Sequence, residues 1–255
     1  MPESTFKDLE NKVAVITGAS KGIGKAIATL LAEAGASVVV SSRKIEAVQE
    51  VADALTNQGF KAAATACHVG EPAALESLVE FAIDQFGGID ILVNNAATNP
   101  VFAPLEQYDT AIIDKIFDVN LKSCILLSNL CYNHMKARGG GSIINIASVE
   151  GLKPSTGLSL YSISKAGLIM LTKSQAKEWG QSGIRSNAIC PGLIKTKLSK
   201  AIWQNEGALN AFTSALPLNR MGEPDEIARL ALFLASDASS YCTGGIYNAD
   251  GGYLV

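Results

Sequence analysis

The sequence predicts an α/β fold: one doubly wound parallel sheet of seven strands with helices on both faces. Three observations predict it. Short apolar runs recur along the chain without the polar alternation of a half-exposed sheet, so both faces of each strand read as buried. Helical stretches separate those runs, as a parallel sheet covered on both sides requires. Straight after the first run, glycines at positions 18, 22 and 24 lead into a helix.

The first strand is VAVIT (Val13–Thr17), followed by GKAIATLLAEAG, with Ile27, Leu30, Leu31 and Ala34 at helical spacing and an Ala-Gly stop. The remaining strands are read at Ser37–Ser41, Lys61–Ala66, Ile89–Asn95, Gly141–Ser148, Ile184–Cys190 and Gly244–Asp250, with helical segments between them. The stretch from about 193 to 218 matches no strand of this alternation and is read as an insertion over one end of the sheet, a substrate lid. No linker, repeat or low-complexity run divides the chain, so residues 1–255 are read as one domain.

At 48% hydrophobic and 18% charged residues, with a net charge of -3, the composition is that of a soluble globular chain. The mildly acidic balance and lack of a basic block speak against nucleic-acid binding. The opening MPESTFKDLENK holds no apolar leader core, and no apolar run is long enough to span a bilayer. The five cysteines (Cys67, Cys124, Cys131, Cys190, Cys242) are scattered, form no CxxC and read as reduced thiols of a cytoplasmic protein. With only His68 and His134 beside them, no metal site is expected.

In TGASKGIG, Gly18, Gly22 and Gly24 let the backbone turn tightly and approach a pyrophosphate, and the following helix offers its free amides. This makes Gly18, Ser20, Lys21, Gly22, Ile23 and Gly24 candidate contacts of a dinucleotide in a fold of Rossmann type. Where NAD-binding sheets place a carboxylate for the ribose 2′-hydroxyl, this chain carries Ser42 and Arg43, with no carboxylate before Glu46. Arg43 and Lys44 also sit at a helix N-terminus, the end that favours anions. With Lys21 approaching from the glycine loop, the cations predict a 2′-phosphate, hence NADP(H) in preference to NAD(H).

In YSISK, Tyr161 and Lys165 share a helix face. The neighbouring ammonium is expected to draw the phenol down from about 10, making it a general acid/base for a carbonyl or alcohol. Ser148 closes the strand IINIAS at a carboxyl end, where sheet ligands bind, and its hydroxyl is placed to hold the substrate oxygen.

Taken together, TGASKGIG, NNAA (Asn94–Ala97), Asn120 in FDVNLKS, Ser148, YSISK and CPGLIKT (Cys190–Thr196) resemble the classical short-chain dehydrogenase/reductase family from about Leu9 to Val255. The resemblance implies a tetrad. Tyr161 is its acid/base, Ser148 orients the carbonyl, Lys165 tunes Tyr161 and holds the nicotinamide ribose, and Asn120 positions a proton-relaying water. It also implies that Asn94 supports the sheet near the cofactor with Ala96, and that Pro191, Gly192, Ile194 and Thr196 meet the carboxamide and phosphates. Basic residues at the positions of Lys21 and Arg43 generally accompany NADP preference in the family.

More narrowly, VVVSSRK, CHVG, GGIDILVNNAATNP and PGLIKT are similar to the NADP-dependent carbonyl reductase/retinol dehydrogenase branch. Two positions depart from the pattern. His68 stands where an aspartate before Val69 usually reads the adenine amino group, an imidazole being able to accept that hydrogen bond; Ala97 replaces the last glycine of NNAG. The chain ends in GGYLV without a peroxisomal SKL tripeptide, so a cytoplasmic location is expected.

The expected reaction is reversible hydride transfer between NADPH and a ketone or aldehyde. Leu152, Leu158, Leu193, Trp203 and Phe212 are candidates for an apolar pocket wall, favouring hydrophobic carbonyl substrates. A 3-oxoacyl carrier-protein reductase is the nearest alternative. Gly141-Ser142 stands where many such enzymes carry arginine, although Lys153, Lys173 and Lys177 could compensate. A non-catalytic NADPH-sensing regulator is disfavoured by the presence of both Tyr161 and Lys165. The family also implies a homotetramer.

Overall fold

The computed structural model describes residues 8–255; residues 1–7, on which the expectation of no leader partly rests, lie outside the described residues. Seven strands form one parallel sheet: β1 (Val13–Thr17), β2 (Ser37–Ser42), β3 (Ala62–Ala66), β4 (Ile91–Asn94), β5 (Gly141–Ile146), β6 (Ile184–Pro191) and β7 (Ile246–Ala249), in the order β3-β2-β1-β4-β5-β6-β7. The order reverses at β1, which has β2 on one side and β4 on the other, so the loops leaving β1 and β4 part to opposite faces and open a crevice at the carboxyl ends.

The helices are α1 (Gly22–Glu33), α2 (Ile45–Thr56), α3 (Pro72–Phe86), α4 (Thr110–Phe117), α5 (Ser123–Ala137), α6 (Ser159–Trp179), α7 (Lys200–Trp203), α8 (Glu206–Thr213) and α9 (Pro224–Ala235). Alternate strand residues serve opposite faces. Ile16, Val38, Val40 and Val93 pack with Ile27 and Leu31 of α1, Val48 of α2 and Ile227 of α9. Val15, Val39, Leu92 and Ile143 pack with Leu75 and Leu78 of α3 and Leu127 of α5. Leu168 and Ile169 of α6 cover Ala188 and Cys190 of β6. Burial on both faces is the reason central strands such as β1 and β4 read as continuous apolar runs.

Four strands are shorter than their apolar runs, and three of the ends carry a recognisable local feature. Just before β4, the Asp90 carboxylate accepts from Val13 N (2.8 Å) and from Arg138 Nε and Nη2 (2.8 and 2.9 Å), tying β1, β4 and the end of α5 together. β5 stops at Ile146 because Ser148 caps the short turn Val149–Gly151, its Oγ accepting from Glu150 N at 3.1 Å. Gly244 precedes β7 at φ +71, a left-handed conformation that breaks the extended run. β3 begins at Ala62 rather than Lys61.

Helices α4 and α5 run together through a single π-helical turn, Asp118–Lys122. The 193–218 stretch is built from α7 and α8. It is anchored at its start by buried Ile194, which pairs with Gly222 in an isolated parallel bridge. No helix among the described residues is long and apolar enough to cross a membrane.

Candidate active site

The loops at the carboxyl ends of β1 to β6 surround one cleft of about 650 Å³. Its floor is set by how closely the turn after β1 packs on the turn after β4. Gly18 holds φ +65, and a Cβ there would meet Ala96 Cα and Asn95 Nδ2 at 2.9 Å; a Cβ on Gly24 would strike the same Asn95 amide and the Gly18 carbonyl. The Asn95 amide donates to Thr17 O (2.8 Å) and Gly18 O (3.2 Å), while Thr17 Oγ1 accepts from Asn95 N and Ala96 N. The result is a glycine-lined cradle at the N-terminus of α1, whose first turn carries no acidic residue. Backbone amides and the positive end of the helix dipole favour a pyrophosphate there. Ser20, Lys21, Gly22 and Ile23 line the same region.

Ser42 and Arg43 enter from the end of β2 the same cleft that Lys21 lines. Arg43 and Lys21 are exposed, and neither forms an ion pair with a carboxylate among the described residues. Lys44 instead takes the N-cap position of α2, its carbonyl accepting from Ser42 Oγ at 3.2 Å. His68 and Val69 line the wall after β3; His68 Nδ1 is buried with no hydrogen-bond partner among the described residues and lies 3.9 Å from Glu71 Oε1.

Ser148, Tyr161 and Lys165 meet at the other end. Lys165 is 2% exposed; its ammonium donates to Ile146 O at 2.7 Å and lies 5.6 Å from the centre of the Tyr161 ring. Burial brings this ammonium down to about 8, against opposing contributions from the Cys124 and Cys190 thiols. The expectation that Lys165 lowers the Tyr161 phenol is not met: burial pushes it up to about 12, the Ser148 hydroxyl pulls the other way, and Glu150 and Cys190 add to the rise. The physical reason is that loss of water outweighs an ammonium directed at a carbonyl rather than at the phenol oxygen.

Pro191, Gly192, Ile194 and Thr196 bring the loop after β6 to the cleft, and Ala96 brings the one after β4. Two expected residues stay outside it. Asn94 is buried in the sheet, its Nδ2 donating to Ser128 Oγ (3.2 Å) and Asn145 Oδ1 (2.8 Å). Strand alternation puts the next residue, Asn95, into the cleft, a parity the sequence already carried. Asn120, fully buried in the π turn, braces Thr98 and Ser164 from behind the cleft wall.

Of the expected apolar wall, Leu158 and Leu193 face the cleft. Leu152 is exposed, Trp203 donates its Nε1 to Thr196 O (2.8 Å), and Phe212 stacks on Tyr253 with ring centres 5.5 Å apart. Leu198 and Ile202 take their places, along with Thr98 and Asn99; nothing in the local pattern distinguished these, because loop side chains have no period. Lys153, one of the cations weighed for an acidic carrier, lies 4.9 Å over the Tyr253 ring.

A family model described as Enoyl-(Acyl carrier protein) reductase matches residues 18–254. The chain is 43% identical over 244 residues to Dehydrogenase/reductase SDR family member 4 of Oryctolagus cuniculus, covering 96% of this chain and 94% of that protein. The protein of the same name in Caenorhabditis elegans is 40% identical over 253 residues, with 98% and 97% covered. Among solved structures, a gluconate 5-dehydrogenase from Burkholderia cenocepacia in complex with NADP and tartrate superposes with a TM-score of 0.93 at 33% identity, covering 98% of this chain and 97% of that one.

Proposed function

Because the chain belongs to the short-chain dehydrogenase/reductase family, we propose that this oxidoreductase is an NADP(H)-dependent carbonyl reductase, acting reversibly as an alcohol dehydrogenase. The observation that carries the reading is the placing of exposed, carboxylate-free Lys21 and Arg43 at one end of the cleft that holds Ser148, Tyr161 and Lys165 at the other.

The residues present fit such a cofactor. The glycine cradle would take the pyrophosphate, Lys21, Ser42 and Arg43 would take the 2′-phosphate, His68 and Val69 would border the adenine, and Ile194 with Thr196 would meet the nicotinamide end, all of them lining the one cleft. When bound, the nicotinamide supplies or accepts the hydride. Ser148 holds the carbonyl oxygen by its hydroxyl, and the Tyr161 O–H gives that oxygen its proton. A phenol raised by burial is fully protonated at neutral pH, which suits the reductive direction. Lys165, buried beside the Tyr161 ring and held by Ile146 O, would meet the nicotinamide ribose, and Asn120 keeps the loop after β4 in place. Leu158, Leu193, Leu198 and Ile202 favour an apolar carbonyl substrate, under a lid formed by the 193–218 stretch. Exposed Ile125, Ile163 and Met170 on α5 and α6 support a homotetramer, with light scattering as the check. A cytoplasmic location completes the proposal.

The test is steady-state reduction of a panel of ketones, aldehydes and diketones with NADPH and with NADH, for the wild type and Tyr161→Phe. The expected result is NADPH preference and a loss of turnover on the order of 10²–10⁴-fold in the variant. Equal use of NADH, or wild-type turnover in Tyr161→Phe, overturns the corresponding part.

A further inference from the structure

Glu150 lies two residues beyond Ser148 and outside the cleft lining, yet its carboxylate is the hub of the loop that carries the substrate wall. Its Oε2 accepts from Ser155 N (2.9 Å) and from Ser162 Oγ (2.9 Å), and its Oε1 accepts from Ser155 Oγ (2.6 Å). Its own N–H donates to Ser148 Oγ at 3.1 Å. Ser162 directly follows Tyr161 on α6, so one carboxylate ties the 148–158 loop to the turn that presents the phenol. The fit is tight. A Cβ on Gly151 would meet Lys165 C at 2.8 Å and Ala166 N at 2.9 Å, so the loop rests directly on the backbone of α6.

We infer that Glu150 is the positioning residue of this active site: its carboxylate fixes the Ser155–Leu158 wall against the turn that presents Tyr161 through its hydrogen bonds to Ser155 and Ser162. The inference rests on the reading of Ser148 and Tyr161 as the groups that work on the carbonyl. The backbone bond from Glu150 occupies an acceptor position of Ser148 Oγ and leaves its O–H to be donated, the role a carbonyl oxygen needs. Three bonds to one carboxylate hold the loop more firmly than neutral partners could, since charge-assisted bonds are the stronger class. The same charge bears on the phenol. Tyr161 is faced by Ser148 from the end of β5, Glu150 from the loop, Cys190 from β6 and Lys165 from its own helix, and Glu150 acts on it to raise its pKa.

Four proteins test this: the wild type, Glu150→Ala, Glu150→Gln and Tyr161→Phe, each measured for KM of the carbonyl, KM of NADPH, and the pH profile of alcohol oxidation. Glu150→Ala is expected to raise the carbonyl KM about tenfold or more, since all three bonds to the carboxylate are lost, with the NADPH KM unchanged. Glu150→Gln keeps the shape, restores much of the KM, and moves the rise of oxidation with pH to lower pH, because the charge opposing the phenolate is gone. Should Glu150→Ala fail to fold, the Gln profile carries the test. Wild-type KM and pH profile in the Glu150 variants, with Tyr161→Phe inactive, overturn the inference alone. An active Tyr161→Phe overturns the reading beneath it.

Discussion

Asn120 grips both backbone groups of Thr98: its Oδ1 accepts from Thr98 N at 2.8 Å and its Nδ2 donates to Thr98 O at 2.9 Å, with a further bond to Ser164 Oγ at 3.1 Å. The side chain therefore holds the loop after β4 against α6 from a fully buried position. Asn120→Ala leaves the Thr98 groups unpaired, and the expected loss is about 2–3 kcal/mol in urea unfolding, one to two buried polar groups' worth. Turnover is expected to fall with it. Unchanged stability with lost turnover would instead assign Asn120 a purely chemical part.

Lys165 is a buried ammonium brought down to about 8, and Tyr161 a buried phenol raised to about 12. In the folded chain Lys165 holds its proton less tightly than in the unfolded one, so its destabilising effect is full below pH 8. It is relieved as pH rises from about 8 past 10. Tyr161 acts in the opposite direction only above pH 10, where the unfolded chain ionises first. Lys165→Met is therefore expected to be inactive yet more stable at neutral pH, by a net amount on the order of 1–2 kcal/mol after loss of the bond to Ile146. The gap in melting temperature between variant and wild type should close between pH 8 and 10. A gap independent of pH would refute this.

Arg43 reaches the cleft without an acidic partner among the described residues. Its replacement by alanine is expected to raise the KM for NADPH by about tenfold or more, the effect of a lost charged hydrogen bond, and to leave that for NADH nearly unchanged. Equal effects on both cofactors would move the 2′-phosphate site elsewhere. Thermal unfolding should not respond, the guanidinium being solvated.

Far from the cleft, Arg138 meets the buried Asp90 carboxylate through two nitrogens, at 2.8 and 2.9 Å, and this holds its guanidinium firmly charged. Arg138→Met leaves that carboxylate with the Val13 amide and should cost about 3 kcal/mol, the low end for breaking a buried pair because the arginine is partly exposed. Adding Asp90→Asn should recover part of the loss, and chemical unfolding of the double-mutant cycle measures how much.

The architecture was legible in the sequence because burial on both faces writes central strands such as β1 and β4 as apolar runs. The partly buried edge strands β3 and β7 were placed by their position in the alternation with helical segments, and all seven runs became strands. The glycine cradle was legible for a related reason. Left-handed backbone and close packing admit little besides glycine, so Gly18 and Gly22 announce the turn by type alone. Ser148, Tyr161 and Lys165 could be named from residue type and helical spacing, and they do share one cleft.

What the sequence alone determined was therefore whatever local repetition encodes: the strands, the helices, the cradle and the residues that could do the chemistry. Only the tertiary structure decided which way those residues face and what state they are in. It turned Asn94 into the sheet and Asn95 into the cleft, sank Asn120 behind the wall, and replaced Trp203 and Phe212 with Leu198 and Ile202 along the pocket. It also set Tyr161 high and Lys165 low, because a pKa depends on how much water and which charges the whole fold leaves around a group, and no stretch of sequence contains that sum.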